Sequence, residues 1–219
     1  PSHRWSYETE ESVLSTLTNY LVPAIIGMDV SDIQAIHKVM DTEIAPSTHP
    51  GQPIAKSAID LGIHDILAKN KQQPLYEYFG SENRVSMPLC YTVFAPDPAD
   101  AGRIVASAVK EGYKCFKVKV GHESILDDLR ILESVVSNAS GGIIWADPNQ
   151  AYTVDLTIKY ASEIADLGID YLEQPISAGD ITGHQRIKEN CDIPIAIDES
   201  IFSIETLNEF ILREAADVF

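Results

Sequence analysis

The sequence predicts an α/β protein in which a mainly helical segment precedes a run of alternating strands and helices. Two observations support this fold class. From residue 86 onward, short apolar runs typical of strands alternate with patterns of helical period, which indicates parallel strands joined by helical crossovers. Polar residues also recur near the expected strand ends at intervals of 28, 26 and 25 residues, and these residues are Lys119, Asp147, Glu173 and Asp198.

A regular strand–helix repeat with polar residues at the strand ends is typical of a (β/α)₈ barrel of the TIM type. The alternative is a doubly wound sheet, which a glycine-rich phosphate loop after the first strand would favour, and the segment 94–98 (FAPDP) is not such a loop. We therefore expect residues 86–219 to form an incomplete (β/α) barrel with strands one to six, and residues 1–85 to form a partial, mainly helical domain. Five complete units cannot close a barrel of eight strands, so we also expect the chain to be part of a longer protein.

The first 85 residues show apolar spacings of helical type. Thr9 is the expected N-cap of a first helix, and Pro23 is expected to end that helix. The strongest helix follows a loop at residues 46–53 and carries a broad apolar face. The expected helices cover residues 10–22, 30–41 and 54–70.

The second expected strand carries two lysines on one face. Phe116 and Val118 alternate there with Lys117 and Lys119. Two ammonium groups in a sheet that is covered on both sides would have lowered pKa values and could act as bases, whereas on an edge strand they would simply face water. The expected strands cover residues 86–94, 114–120, 143–147, 171–173 and 195–197, with a sixth that begins at 216, and the expected helices cover 98–111, 124–137, 154–167, 183–190 and 204–213.

The composition restricts the class of partner and the compartment. The formal net charge of −17 argues against nucleic acid, because a phosphate polyanion would be repelled. No apolar run approaches the roughly 20 residues of a membrane span, and the N-terminal residues lack the apolar segment of a signal peptide. Cys90, Cys115 and Cys191 have no metal-type spacing, so we expect buried thiols in a reducing cytoplasm.

Three carboxylates occupy consecutive expected strand ends. Adjacent strand ends in a barrel lie about 5 Å apart, and three carboxylates at that distance would not all stay ionised without a cation. Oxygen ligands alone favour Mg²⁺, with Mn²⁺ as a substitute, and argue against zinc. The three residues are Asp147 in WADPNQ, Glu173 in YLEQP and Asp198 in AIDES.

Two alternative roles for these carboxylates stay open. Asp147 and Asp198 could cap the helices that follow them, although a coincidence at three matched strand ends is uncommon. A carboxylate pair could also hydrolyse a glycosidic bond, but that scheme leaves Lys117 and Lys119 without a role. With a divalent cation, by contrast, the α-proton of a bound carboxylate substrate becomes acidic, and a lysine of lowered pKa could remove it.

In these motifs the sequence resembles the enolase superfamily and, within it, the branch of muconate-lactonizing enzymes and mandelate racemase. The order and spacing of the motifs are specific for the superfamily and carry little information about the substrate. The motifs are FKVKVG (116–121), DPNQ (147–150), EQP (173–175) and DES (198–200). Upstream, the segments that look like the long helix of that branch's capping domain and its exit are AKSAID (55–60), Pro74-Leu75 and Gly80.

The resemblance implies a role for each of these residues. Lys119 would be the base on one face of the substrate, and Lys117 would contact the substrate carboxylate and tune Lys119. The Mg²⁺ ligands would be Asp147, Glu173 and Asp198, and the residues that orient these ligands would be Asn149 and Glu199.

The resemblance also implies a reaction, the Mg²⁺-dependent abstraction of the proton α to a carboxylate through an enediolate. A racemase or epimerase of an amino-acid derivative or a dipeptide is expected, and the alternatives are a muconate-type cycloisomerase, an acid dehydratase and, from a different class, a non-catalytic metal-binding protein. The partners would be a small carboxylate substrate and further copies of the chain in a homo-oligomer. In this branch a second lysine on the sixth strand works from the opposite face, and it is expected beyond Phe219 with the last two strands.

Overall fold

The computed structural model describes residues 6–47, 51–80 and 87–219. The chain divides into two compact units, residues 1–85 and residues 86–219. In the described part of the chain, no helix has the length and the apolar character that crossing a membrane would require.

The first unit is helical. A small core holds it together, with Leu21, Ile36 and Met40 buried against the longest helix of the unit. The side chain of Thr9 caps the first helix, as expected, and the carboxylate of the buried Glu8 accepts hydrogen bonds from the first backbone N–H groups of the longest helix. The helices are α1 (Glu10–Thr16), α2 (Val22–Ile25), α3 (Ile33–Glu43), α4 (Pro53–Asn70) and α5 (Leu75–Tyr78).

The prediction that Pro23 ends the first helix is wrong. The chain continues from α1 through a π-helical turn, Leu17–Leu21, into α2, which contains Pro23 in its first turn. In a regular α-helix the proline ring would clash with the carbonyl group four residues earlier. The wider π-helical turn and the position of Pro23 near the start of α2 accommodate the ring.

The second unit contains a parallel sheet whose strands follow one another in chain order. This arrangement confirms the α/β class with helices between parallel strands, and it differs from a doubly wound sheet, in which the strand order reverses. The strands are β1 (Cys90–Val93), β2 (Cys115–Lys119), β3 (Ile143–Asp147), β4 (Tyr171–Glu173) and β5 (Ile195–Ala196). The helices are α6 (Pro98–Lys110), α7 (Ile125–Asn138), α8 (Val154–Asp166), α9 (Ile181–Asn190) and α10 (Ile204–Leu212).

Both ends of this sheet are shorter than the sequence predicts. β1 begins at Cys90 rather than at residue 86, and Ser86 lies outside the described residues. At the other end, the expected sixth strand is represented by a single parallel bridge between Ala196 and Val218.

The register of β2 against β3 places the lysines beside the residues of the next strand. Lys117 pairs with Trp145, and Lys119 pairs with Asp147. Phe116 and Val118 are fully buried on the opposite face, in one core cluster with side chains of α7. The predicted alternation along β2 is therefore present, and both lysines project from the same face.

Candidate active site at the carboxyl ends of the strands

The two lysines of β2 bind the carboxylates of the next two strand ends. The Nζ of Lys119 donates to Oδ2 of Asp147 at 2.5 Å, and the Nζ of Lys117 donates to Oε1 of Glu173 at 2.6 Å. Lys117 Nζ also lies 3.0 Å from Asp147 Oδ2. Because β2 is hydrogen-bonded to β1 and β3, and the lysine side chains are only 20% and 26% exposed, the alternative of an edge strand facing water does not describe them.

Asp147 and Glu173 are the buried acidic residues of this site. Asp147 is fully buried, and Glu173 accepts a further hydrogen bond at 2.6 Å from the indole Nε1–H of Trp145. Burial raises the pKa of Glu173, as does the nearby charge of Asp147, while the hydrogen bonds from Lys117 and Trp145 oppose the rise. The two carboxylates thus direct oxygen atoms at one cationic group, the ammonium of Lys117.

The expected lowering of the lysine pKa values does not hold for Lys117. Burial alone would lower its pKa, but the hydrogen bonds to Glu173 and Asp147 and the charges of these carboxylates outweigh burial, so the pKa is raised. The expectation assumed that nearby positive charges would have the largest effect on the pKa of each lysine. In the structure the nearest partners of Lys117 are anionic.

The surroundings of Asp198 differ from those of the other two acidic residues. Its side chain is exposed, and its carboxylate has no hydrogen-bond or ion-pair partner in the described part of the chain. Across residues 6–47, 51–80 and 87–219, no three His, Cys, Asp or Glu side chains are grouped closely enough to hold a metal ion. The structure therefore brings Asp147 and Glu173 together, and the assignment of Asp198 as a third ligand stays a prediction.

Helix capping does not explain the acidic residues at the strand ends. The side chain of Thr153 caps α8, that of Asp180 caps α9 and that of Ser203 caps α10. Asp147 instead accepts the backbone N–H of Asn149 in a local turn, at 2.9 Å. Asp147 therefore stabilises the turn that follows β3 and does not cap α8.

Asn149 connects Lys119 to Glu199. Its Oδ1 accepts a hydrogen bond from Lys119 Nζ at 2.6 Å, and its Nδ2 donates to Glu199 Oε1 at 3.1 Å. Gln150 donates to the same Glu199 oxygen at 3.3 Å, while Glu199 Oε2 is buried and has no partner among the described residues. The two residues predicted to orient the ligands therefore lie in one chain of hydrogen bonds that reaches the predicted base.

Sequence reasoning missed a buried carboxylate next to the end of β2. Asp128, in the first turn of α7, accepts hydrogen bonds from the backbone N–H groups of Gly121 and His122, from the His122 ring and from the hydroxyl of Tyr152. Burial raises the pKa of Tyr152, and the charge of Asp128 adds to this effect. In the sequence Asp128 looks like an ordinary acid near a helix N-terminus. Its only distinguishing signal is its position within an otherwise apolar helix face.

Gln174 was also missed. It follows Glu173 directly, is fully buried and takes part in hydrogen bonds to the ends of two other strands. The sequence showed it only as the middle residue of the EQP motif.

Two family models match the chain. The model described as "Enolase C-terminal domain-like" matches residues 100–219. The model described as "Mandelate racemase / muconate lactonizing enzyme, N-terminal domain" matches residues 2–80. The first match alone covers more than half of the chain.

Curated relatives of known activity are similar over nearly the whole chain. N-succinyl-L-Arg/Lys racemase of Bacillus cereus is 34% identical over 96% of the chain, and L-Ala-D/L-Glu epimerase of Clostridium acetobutylicum is 30% identical over 95%. Chloromuconate cycloisomerase of Pseudomonas putida is more distant, at 25% identity over 98%. The chain spans 56–57% of the length of these relatives.

Solved structures show the same similarity in three dimensions. N-succinyl Arg/Lys racemase from Bacillus cereus superposes with a TM-score of 0.90 at 32% identity, over 99% of this chain and 58% of the other. A dipeptide epimerase from Enterococcus faecalis, complexed with Mg and the dipeptide L-Leu-L-Tyr, superposes with a TM-score of 0.89 at 28% identity, over 99% and 59%.

Proposed function

Since the chain belongs to the enolase superfamily, in the branch of mandelate racemase and muconate-lactonizing enzymes, we propose that the whole protein is an isomerase that removes the proton α to a carboxylate group. One observation carries this proposal. Lys117 and Lys119 project from one face of β2 and bind Asp147 and Glu173 at the next two strand ends. In the proposal Lys119 is the base and Asp147 and Glu173 are metal ligands, and these contacts at one edge of a parallel sheet support the roles.

The donor set fits a hard divalent cation such as Mg²⁺. Asp147 and Glu173 are buried carboxylates whose oxygen atoms already converge on one positive charge, the ammonium of Lys117. In the proposal these two residues and Asp198 hold the ion. When bound, Mg²⁺ would stabilise the negative charge that develops on the substrate carboxylate as the α-proton leaves.

The two lysines have different hydrogen-bond partners, which supports a different role for each of them. Lys117 binds two carboxylates, so in the proposal it stays cationic and binds the carboxylate of the substrate. Lys119 binds one carboxylate and the neutral amide of Asn149, and in the proposal its neutral amine takes the α-proton. Asn149, which is tied to Glu199, keeps the amine of Lys119 oriented.

We propose an N-acylated amino acid or a dipeptide as the substrate, with racemisation or epimerisation as the reaction. The racemase and the dipeptide epimerases support this class, because they are more similar to the chain than the cycloisomerases are. A cycloisomerase of the muconate type is the second candidate, and an acid dehydratase is the third. Inversion of configuration also needs a second acid that returns a proton to the opposite face of the substrate.

The test is exchange of the α-proton with solvent deuterium, which needs only the base on one face. The whole protein, with Mg²⁺, is incubated in D₂O with N-succinyl amino acids, dipeptides, a muconate and sugar acids, and deuterium at the α-carbon is followed by NMR. We expect exchange and inversion with N-succinyl amino acids or dipeptides. Lys119→Ala should reduce the exchange rate by about 10²- to 10⁴-fold, the usual contribution of a general base, while Mg²⁺ still binds.

Lys114→Ala is the matched control, because Lys114 is an exposed lysine just before the same strand. It should leave exchange unchanged. Full exchange in Lys119→Ala would show that another residue is the base. If Mg²⁺ binds but none of the acids exchanges, the protein is a non-catalytic metal-binding member of the family, and the proposal is wrong.

We also propose that the protein works in the cytoplasm. Cys90, Cys115 and Cys191 are free thiols, and Cys115 is buried as expected, whereas Cys90 is exposed. Partial burial raises the pKa of the Cys191 thiol, which favours its less reactive neutral form. Three unpaired thiols suit a reducing compartment.

A further inference from the structure

Gln174 occupies the junction of the three strand ends that carry the proposed metal ligands. It directly follows Glu173, and its own backbone is in the left-handed region, with φ of 40°. Its N–H donates to the carbonyl of Ala196 in β5, and its carbonyl accepts from the N–H of Gln150, in the loop after β3, both at 2.8 Å. A strained conformation at a buried residue persists only where the surroundings hold it, and here hydrogen bonds to both neighbouring segments do so.

The side-chain amide of Gln174 fixes the turn that contains Asp198. Its Oε1 accepts the backbone N–H groups of Asp198, at 3.0 Å, and of Ser200, at 3.1 Å. Its Nε2 donates to the hydroxyl of Ser200 at 2.8 Å and to the carbonyl of Ile176 at 3.1 Å. Backbone N–H groups can only donate, so they determine which end of the amide is the oxygen, and the whole capacity of the amide is used.

Asp198 depends on this anchor for its position. Its carboxylate is exposed and has no partner in the described part of the chain, so its backbone locates it, through the hydrogen bonds of its turn and the pairing of β5 with β4. The link to Gln174 is one of these bonds, and Gln174 is covalently next to Glu173. The two carboxylates do not bind each other, so the position of Asp198 relative to Glu173 depends on the strand pairing and on the hydrogen bond from Asp198 N–H to the Gln174 side chain.

We infer that Gln174 is a positioning residue, which ties the turn that carries Asp198 to the end of β4, so that Asp198 and Glu173 can contribute to one Mg²⁺ site. This inference rests on the proposed function, because it assumes that these carboxylates are metal ligands. The alternative is a purely structural role, in which the amide only satisfies buried polar groups. The two roles differ in their effect on metal affinity in molecules that are folded.

The test is the affinity for Mg²⁺ alone, measured in a Trp5→Phe background, in which Trp145 is the remaining tryptophan of residues 1–219. Because the indole of Trp145 donates to Glu173, its fluorescence should report binding, and calorimetry provides a second readout. Gln174→Met keeps the length of the side chain and removes its hydrogen bonds. We expect its dissociation constant to rise by about 10- to 100-fold, as is usual when a residue that orients a metal ligand is lost.

Ile187→Ala is the matched control, since Ile187 is a fully buried apolar residue of α9 that takes no part in these hydrogen bonds. It should lower the unfolding midpoint without changing the Mg²⁺ affinity. Ser200→Ala, which removes one partner of the same amide, should weaken Mg²⁺ binding by a smaller factor than Gln174→Met, and it tests the inference even if Gln174→Met does not fold.

Three outcomes are decisive. Weaker Mg²⁺ binding in folded Gln174→Met or Ser200→Ala, with wild-type affinity in Ile187→Ala, supports the inference. Wild-type affinity in the Gln174 and Ser200 variants, together with lowered stability, overturns it and leaves the proposed function intact. If the parent protein binds no Mg²⁺ at millimolar concentrations, the metal assignment of the proposed function fails, and the inference fails with it.

Discussion

At the scale of single residues, the site is built from a few buried polar groups whose partners are distant in sequence. Lys117 contacts Glu173, 56 residues away, and Gln174 contacts the backbone of Asp198, 24 residues away. The residue types in the KVK, DPN and DES segments predict the class of chemistry. They do not predict that Lys117 would be held by two carboxylates, because that depends on which strand ends meet.

We expect the buried His184 to make the stability sensitive to pH. It is fully buried, its ring Nδ1 lies 2.8 Å from the carbonyl of Asp180, and its Nε2 faces the amide of Gln174. Burial lowers its pKa below the usual 6.5, although the carbonyl and the charge of Asp180 oppose this effect. As the pH falls below about 6.5, His184 is protonated in the unfolded chain before it is protonated in the folded chain. The unfolded state is then favoured, so stability is lost as the pH falls toward the pKa of the folded state.

We expect the free energy of unfolding in urea to fall between pH 7.5 and pH 5.5, by up to about 1.4 kcal/mol for each unit by which the pKa is lowered. His184→Gln, which does not titrate, should lose less over the same interval. An identical pH dependence in the two proteins would assign the effect to other histidines.

Asp128 should be essential for the stability of the loop after β2. Asp128→Asn replaces one carboxylate oxygen with an NH₂ group, which cannot accept a hydrogen bond. If the NH₂ group takes the place of Oδ1, the backbone N–H and the ring of His122 lose their acceptor, and if it takes the place of Oδ2, the hydroxyl of Tyr152 loses its acceptor. We expect a loss of about 3 kcal/mol in the free energy of unfolding, because buried donors lose their partner. Asp127→Asn is the control. Within the described residues the side chain of Asp127 forms only an exposed ion pair with Arg130, and its replacement should change stability by less than about 1 kcal/mol. Equal losses would contradict this account.

At the scale of the elements, the pairing of β2 with β3 brings Lys119 beside Asp147. The sequence predicted both strands, and Lys119 and Asp147 prove to be paired residues at their ends. The pairing begins where the two backbones approach closely, and there the N–H of Ile143 donates to the carbonyl of Lys114 at 3.1 Å. The pattern of apolar residues does not reveal this approach, because it involves a glycine and main-chain atoms.

Gly142 allows that approach. It has φ of 115°, and a Cβ placed on it would lie 1.9 Å from the carbonyl oxygen of Lys114. Gly142→Ala should therefore lower the free energy of unfolding by about 3 kcal/mol or more. Gly141→Ala is a matched control, because φ at Gly141 is 82° with no atom within 4 Å of an added Cβ, so only backbone strain of about 1–2 kcal/mol is expected. Denaturant unfolding of the two variants measures the difference, and similar values would show that the β2–β3 approach is not constrained here.

At the scale of the whole molecule, the proposed ligands bring negative charges together in a chain that already carries a net charge of −17. A cation that binds the folded protein and not the unfolded chain stabilises it by mass action. Mg²⁺ at 100 times its dissociation constant should therefore raise the free energy of unfolding by about 2.7 kcal/mol. The expected result is a higher midpoint of thermal unfolding.

Two controls separate this effect from general screening of the net charge. NaCl at equal ionic strength should give a smaller shift, because it screens the surface without occupying the site. In Asp147→Asn and Asp198→Asn the specific part of the shift should shrink. If both variants respond to Mg²⁺ like the wild type, the ion binds elsewhere.

The sequence by itself determined the α/β class, the parallel strands and the family, and it predicted a candidate site at the carboxyl ends of the strands. All of these depend on local features, namely the alternation within a strand, the repeat of about 25 residues and the short motifs. Predictions that depended on tertiary context were less accurate. The π-helical turn before Pro23 was not foreseen, and β1 is shorter than predicted.

Only the tertiary structure decided which groups meet. It joined Lys117 to both Asp147 and Glu173, left Asp198 exposed, assigned the helix caps to Thr153 and Ser203, and buried Gln174 and Asp128 among donors from several segments. The physical reason is that hydrogen-bond satisfaction and pKa shifts are set by burial and by strand register. Both are properties of contacts between segments that are far apart in the chain.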